Sequence, residues 1–222
     1  MQEKIYNVRD GSQTEAEVSP YQGHFMIDLR TVPIKEYCGL FGIINHKQAS
    51  WLTYLGLYAL QHRGQEACGI VSNNNKGVLA VHKNIGLVSD VFSEAALRKL
   101  KGDMACGHVR YSTTGSSVLK NAQPLLIDYA KGAICIAHNG NLVNSLQLRQ
   151  DLEKSGSIFQ TTTDSEIIIH LMARNRSQDL EESLIYALKR VKGAYSLVMM
   201  DKHTLVGARD PLGFRPLCLG KI

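Results

Sequence analysis

The sequence predicts an α+β fold in which two sheets pack face to face between layers of helix. Three observations predict it. Short apolar runs of strand length alternate with segments of helical periodicity. Neighbouring runs are joined by turn-rich hairpin connections, which makes antiparallel pairing the simplest arrangement. The runs at 104–110, 133–138 and 194–200 are apolar on both faces, as expected of strands covered on two sides.

Residues 39–45 read as a buried strand, with Leu40, Gly42 and Ile44 alternating with Phe41 and Ile43. Ser50 is placed to cap a helix in which Trp51, Tyr54, Leu55 and Tyr58 recur at helical spacing, and Gly64 to end it in the C′ position. Cys68 to Ser72 and Val78 to Lys83 flank the turn-rich 73–77 as a hairpin. Ser93 caps a short helix stopping at Gly102, and strands follow at 104–110 and 133–138. Asn144 with Gln147 resembles a capping box for a helix ending before Gly156. Asp164 caps a helix carrying Ile167, Ile168, Leu171 and Met172. Asp179 with Glu182 forms another capping box, for a helix ending at Gly193, and strands at 194–200 and 204–208 close the pattern.

Residues 1–37 differ in character. They are polar and mixed in charge, broken by Gly11, Ser12, Pro20, Gly23 and Pro33. Their longest apolar piece, Phe25-Met26-Ile27, is too short for a secretory signal. No stretch approaches the ~18 apolar residues of a membrane span. With 44% hydrophobic and 20% charged residues, the composition is that of a soluble globular protein. The net charge of +5 is spread without a basic block, which argues against a nucleic-acid partner. Five cysteines, an odd number, do not suggest a disulfide framework, and a reducing cytoplasm is expected.

Cys38 opens the run CGLFGII. A thiol attacks as thiolate and needs a base within reach, because its pKa near 8.5 leaves it mostly protonated at pH 7. No Cys-His pair with a familiar local signature stands out. A cysteine at a chain terminus carries its own base, since an α-amine titrates near 7.7–8.0. While Tyr37 is attached, that nitrogen is an amide. Cys38 is therefore read as a nucleophile that becomes the first residue once a 37-residue leader is removed; the alternative is a buried structural thiol.

Asn139-Gly140, after the apolar AICIA, offers a side-chain donor and a close-approach backbone N–H, the parts of an oxyanion cradle, or else a strand-ending turn. Arg110 suits bidentate capture of a carboxylate, with Ser112, Thr113 and Thr114 following, or is a surface arginine at a strand end. Asp164 can accept from an ammonium group, cap a helix, or do both.

CGLFGI, LQHRGQEACGI, GHVRYSTTG, AHNGNL, TTTDSE and GARDPLGFRPL occur in this order. On these motifs residues 38–222 resemble the class II glutamine amidotransferases, and most closely the glutaminase half of the amidophosphoribosyltransferases. The resemblance implies a four-layer αββα sandwich of the N-terminal-nucleophile hydrolase type. It implies that Cys38 is the nucleophile and its freed amine the base, that Asn139 and Gly140 form the oxyanion hole, and that Arg110, Thr113 and Asp164 bind L-glutamine. Arg63 and His108 are expected to support the site. The implied activity is glutamine hydrolysis, with the ammonia passed on to make phosphoribosylamine from phosphoribosyl pyrophosphate in de novo purine biosynthesis. The phosphoribosyltransferase half is absent from 1–222. The expected partner is such a domain or a separate synthase, with homo-oligomerisation implied by the family. No cofactor or metal is expected within the chain, although full-length members use Mg and some carry an iron–sulfur cluster. Other readings are a stand-alone or truncated class II glutaminase, and an inactive interaction domain that keeps its leader. A zinc module built on Cys106, His108, Cys135 and His138 is a further rival, opposed by strand alternation, which puts Cys135 and His138 on opposite faces.

Overall fold

The computed structural model describes residues 4–7, 37–74, 77–111 and 118–221. Nine strands and six helices are assigned among them, in the order β1 (Lys4–Asn7), β2 (Gly39–Ile43), α1 (Ala49–Ala59), β3 (Ala67–Asn73), β4 (Leu79–Ile85), α2 (Val88–Val91), α3 (Glu94–Lys99), β5 (Met104–Arg110), β6 (Leu125–Tyr129), β7 (Gly132–Leu142), α4 (Ser145–Lys154), α5 (Ser165–Arg174), α6 (Leu180–Leu188), β8 (Gly193–Met200) and β9 (Leu205–Arg209). One sheet has the order β2-β5-β3-β4, and the other β1-β9-β8-β7-β6. All pairings are antiparallel except β1 with β9, which is parallel. Strand β1 lies within the segment read as a leader, where the sequence suggested no element.

Strand alternation accounts for the layers. On β7, Ile134 and Ile136 join the core beneath α4, α5 and α6, whereas Cys135 and Ala137 face the other sheet. On β8, Leu197 and Met199 point outward, and Val198 and Met200 inward. On β5, Ala105 and Val109 pack under the first three helices, and Met104 and Cys106 against the second sheet. Three apolar cores thus separate four layers, and the expected αββα sandwich is the one observed.

Several local expectations are corrected. Gln48, not Ser50, precedes α1; Ser50 lies inside the helix and donates its hydroxyl to the Leu100 carbonyl at 2.5 Å. Helix α1 ends at Ala59, a 3-10 turn follows at Gln61–Arg63, and Gly64 is extended rather than left-handed. Gly64 is required for another reason: a Cβ there would meet the Arg110 backbone at 2.7 Å. The aromatic stripe of α1 faces outward, with Trp51 and Leu55 each 45% and Tyr58 57% exposed. The buried face is Ala49, Ser50, Thr53 and Leu57, and the sheet approaches it closely: a Cβ on Gly107 would come within 2.5 Å of Thr53 and 3.0 Å of Leu57. Neither Asn144 nor Asp164 caps its helix through its side chain. The Asn144 amide ties Arg190 and Lys192 instead. Ser93 and Asp179 do cap, accepting from the N–H of Ala96 and of Glu182. Strand β6 went unrecognised in the sequence, and β7 runs four residues beyond the expected 138, to Leu142. Among the described residues no helix is long and apolar enough to cross a membrane.

The reversed face of α1 is testable. Leu57→Ala should cost roughly 2–5 kcal/mol, since Leu57 is fully buried. Leu55→Ala should change stability by no more than about 0.5 kcal/mol. Urea unfolding of both variants measures this, and equal losses would contradict the observed orientation.

Candidate active site

Cys38 stands at the entry of β2 with φ of +58°, a region costly for a residue with a side chain. Its backbone nitrogen donates to the Arg63 carbonyl at 3.0 Å, and its own carbonyl accepts from Arg63 Nε at 2.8 Å. The 3-10 turn after α1 therefore grips the cysteine backbone from both sides. The thiol lies 3.5 Å from both the carbonyl oxygen and the nitrogen of Tyr111. The Tyr37 and Tyr111 rings pack with centroids 4.8 Å apart. Burial pushes the Cys38 thiol up; the Tyr111 backbone and the charges of Arg110 and Arg215 oppose this, and Glu66 adds to it.

Arg110, at the end of β5, is 5% exposed and sits 3.8 Å from the Glu66 carboxylate. The Glu66 N–H donates to the Arg110 carbonyl, and Ala67 pairs with Arg110 across the strands. The QHRGQE segment is therefore moulded around the arginine. Thr113, with Ser112 and Thr114, lies outside the described residues.

The HNGN sequence is strand, not turn. Asn139 pairs with Ser196 and Gly140 with Tyr195 in the β7–β8 ladder. Gly140 has φ of +150°, and a Cβ there would come within 2.0 Å of the Ala194 carbonyl; only glycine fits. The Asn139 side chain is buried, its Oδ1 without a partner among the described residues. It lines a cavity of about 840 Å³ that starts at Gly39, Arg63 and Asn139 and extends along β2 toward Pro216 and Leu217. Two sheets thus meet at one corner, with Cys38 supplied by one and Asn139 by the other. Cys38, Arg110 and Asp164 are not among the residues that line this cavity.

Asp164 is held by β7. Its carboxylate accepts the Leu142 N–H at 2.8 Å and lies 3.4 Å from His138 Nδ1. Burial alone would raise its pKa, but His138 and backbone N–H groups outweigh that and hold it low. An ionised carboxylate has capacity for a further donor. His108 is fully buried between the sheets, its Nε2 3.1 Å from the His138 carbonyl, and burial drops its pKa to about 3. It is a neutral brace beneath Asn139.

Three groups escaped sequence reasoning. Gln123 accepts the His138 N–H at 2.7 Å and donates to Ser165. Glu166 accepts from the Gln160 and Thr161 N–H groups and the Thr161 hydroxyl, fixing the TTTDSE loop. Arg215 places its charge near both Cys38 and Arg63. For Glu166 and Arg215 the legible signal was only membership of a motif; Gln123 lies in none.

Among the described residues no three His, Cys, Asp or Glu side chains group as metal ligands. Cys106 and Cys135 lie between the sheets, Cys68 under the first helical layer, and Cys218 on the surface. These four do not converge, so they do not fit an iron–sulfur cluster. His138 points away from Cys135, as alternation required.

Glu166 gives a pH prediction. Burial raises its pKa, yet the His170 ring and the three loop donors bring it from 4.5 to about 2. Its stabilisation is therefore complete above pH 4.5 and lost as pH falls through 2. Glu166→Gln should destabilise by about 2 kcal/mol at neutral pH, the gap to the parent closing across that acid window. A constant gap in denaturation at each pH would contradict this.

Comparison with known proteins follows the geometry. Residues 108–222 match the family described as glutamine amidotransferase domain. The chain is 50% identical over 187 residues to amidophosphoribosyltransferase 2, chloroplastic, of Arabidopsis thaliana, covering 84% of this chain and 33% of the relative. It is 46% identical over 188 residues to the amidophosphoribosyltransferase of Bacillus subtilis (strain 168), covering 84% and 39%. Among solved structures it is similar to the B. subtilis glutamine phosphoribosylpyrophosphate amidotransferase complexed with ADP and GMP, with a TM-score of 0.74 and 45% identity over 80% of this chain and 38% of that one. It is equally similar to the allosteric regulatory enzyme of purine biosynthesis, with a TM-score of 0.76, 46% identity and the same two coverages. The chain spans well under half the length of these relatives. With the match running through β5, the HNGN strand, the Asp164 loop and the 209–217 turn, the chain belongs to the glutamine amidotransferase domain family.

Proposed function

We propose that this chain is the glutaminase part of an amidophosphoribosyltransferase, releasing ammonia from L-glutamine for transfer to phosphoribosyl pyrophosphate in purine synthesis. The observation that carries this reading is a strained cysteine at the start of β2, its backbone nitrogen held by Arg63, followed directly by Gly39, which lines the same cavity as Asn139 of the other sheet. The identity of 46–50% to named amidophosphoribosyltransferases supports it.

The chemistry uses Cys38 after residues 1–37 are removed. Cleavage of the Tyr37–Cys38 bond frees an α-amine beside the thiol. It also relieves the positive φ, since that torsion is defined through the bond cut. The amine takes the thiol proton, and sulfur attacks the side-chain carbonyl carbon of glutamine. The tetrahedral oxyanion is met by the Asn139 amide and the Gly140 N–H. Collapse expels ammonia as the α-ammonium returns its proton to the leaving nitrogen, and the thioester left behind is hydrolysed by water to glutamate and free thiol. Arg110 takes the substrate α-carboxylate and Asp164 its ammonium, with Thr113 nearby. Arg63 anchors the cysteine backbone and His108 braces β7. The ammonia acceptor is bound by a phosphoribosyltransferase domain or partner, where Mg would act. Five unpaired cysteines favour a reducing, cytoplasmic setting.

Active protein should begin at Cys38, as intact mass will show; full glutaminase activity with residues 1–37 attached would rule out the terminal-amine mechanism. Asn139→Ala should lower kcat on the order of 10²–10³-fold, about 2.7–4 kcal/mol, with KM little changed. Cys38→Ser should abolish turnover yet still bind glutamine. Arg110→Lys keeps the charge but loses the planar fork, so KM should rise. Ammonia release measured against glutamine concentration separates these outcomes, and an unchanged kcat for Asn139→Ala would remove the oxyanion role.

A further inference from the structure

His138 precedes Asn139 on β7, yet its ring has no part in the chemistry described so far. Strand alternation turns it away from Asn139 and from the seam between the sheets, toward the start of α5. The side chain is only 2% exposed. Its Nδ1 lies 3.0 Å from the Ser165 hydroxyl and 3.4 Å from Asp164 Oδ1. The backbone of the same residue is pinned on both sides. Its N–H donates to Gln123 Oε1 at 2.7 Å, and its carbonyl lies 3.1 Å from His108 Nε2. Gln123 closes the set by donating its Nε2 to the Ser165 hydroxyl at 3.3 Å. The ring cannot swing without breaking bonds that tie β7 to the segment before β6 and to α5.

These partners decide where the imidazole proton sits. An ionised carboxylate only accepts hydrogen bonds. A ring protonated on Nε2 alone would turn a lone pair toward Asp164. It would also leave a buried donor unpaired, because Nε2 has no partner among the described residues. The proton is therefore assigned to Nδ1, shared between Asp164 Oδ1 and the Ser165 oxygen. The other carboxylate oxygen, Oδ2, accepts the Leu142 N–H at 2.8 Å. Both oxygens of Asp164 are thus held, and the carboxylate plane is fixed between two donors of β7. The Asp164 side chain keeps 20% of its surface exposed, which leaves room for a further donor. In the proposed reaction that donor is the substrate ammonium.

We propose that His138 is a positioning residue for amino-acid recognition, holding Asp164 in the orientation that meets the substrate ammonium, with Ser165 and Gln123 fixing its ring. This rests on the reading of the site as a glutaminase. The test compares L-glutamine with glutaramate, the same molecule without its ammonium group. Ammonia release by the active protein gives kcat/KM for each. Their ratio on one preparation does not depend on the fraction correctly folded. His138→Leu should cut the preference for glutamine roughly tenfold, the loss expected of one hydrogen bond to a charged group. The loss should fall mostly on KM for glutamine, with kcat/KM for glutaramate little changed. His138→Asn puts an amide N–H near the place of Nδ1 and should recover most of the preference. His138→Gln carries its amide one carbon farther out and should resemble Leu, and it serves where Leu does not fold. Equal losses on both substrates would make His138 merely structural and overturn the proposal, as would an Asn variant no better than Leu. A parent that uses both substrates alike keeps the glutaminase reading and overturns only the roles of Asp164 and His138. Failure to release ammonia from either sinks the glutaminase reading and the proposal with it.

Discussion

The face-to-face packing of the two sheets is the constraint on which the rest of the molecule depends. Cys38 belongs to the sheet of β2 and β5, and Asn139 and Gly140 to the sheet of β7 and β8. Nothing in the chain between them forces these residues together. Val71, Met104, Cys106, Cys135, Ala137, Val198 and Met200 do so, by forming an apolar seam that leaves water only when the sheets close. His108 adds a polar tie across the seam, to the His138 carbonyl, and its burial keeps it neutral. Small residues set the separation: a Cβ on Gly42 would press within 2.8 Å of the Val198 side chain.

A second theme is positive charge gathered around a buried thiol. Burial by itself makes Cys38 a poor nucleophile, because a desolvated thiolate is costly. Arg110 at the end of β5 and Arg215 in the loop after β9 oppose this, and Arg63 in the turn after α1 holds the cysteine backbone. Each is fixed by backbone hydrogen bonds rather than left on a flexible surface, so little ordering remains when substrate arrives. The carboxylates that balance the charge are likewise anchored: Glu66 through its N–H on Arg110, Asp164 on Leu142 and His138.

Much of the architecture was legible. Strand β5 falls at 104–110 as expected, β8 and β9 within one residue, and the caps at Ser93 and Asp179 hold. These succeed because apolar runs and short-range capping are local properties. The failures share one cause. Trp51, Leu55 and Tyr58 look like a core stripe, but α1 meets the closely approaching sheet through Ala49, Ser50, Thr53 and Leu57, so these three residues face outward. Asn139-Gly140 looks like a turn, yet β8 continues the ladder across it. Asp164 and Asn144 look like caps, but distant backbone N–H groups claim their side chains.

The sequence by itself offered the groups proposed for the chemistry, because a thiol, an amide, a guanidinium and a carboxylate have intrinsic properties that do not depend on the fold. It also placed most of the strands and helices in order, β1, α2 and β6 excepted, through the periods of its apolar residues. The tertiary structure decided which face of α1 is buried, that the HNGN segment is extended, and which of Asp164, Glu166 and Gln123 meet the site. Those outcomes depend on contacts between residues far apart in the chain, and only closure of the two sheets brings such residues within reach of one another.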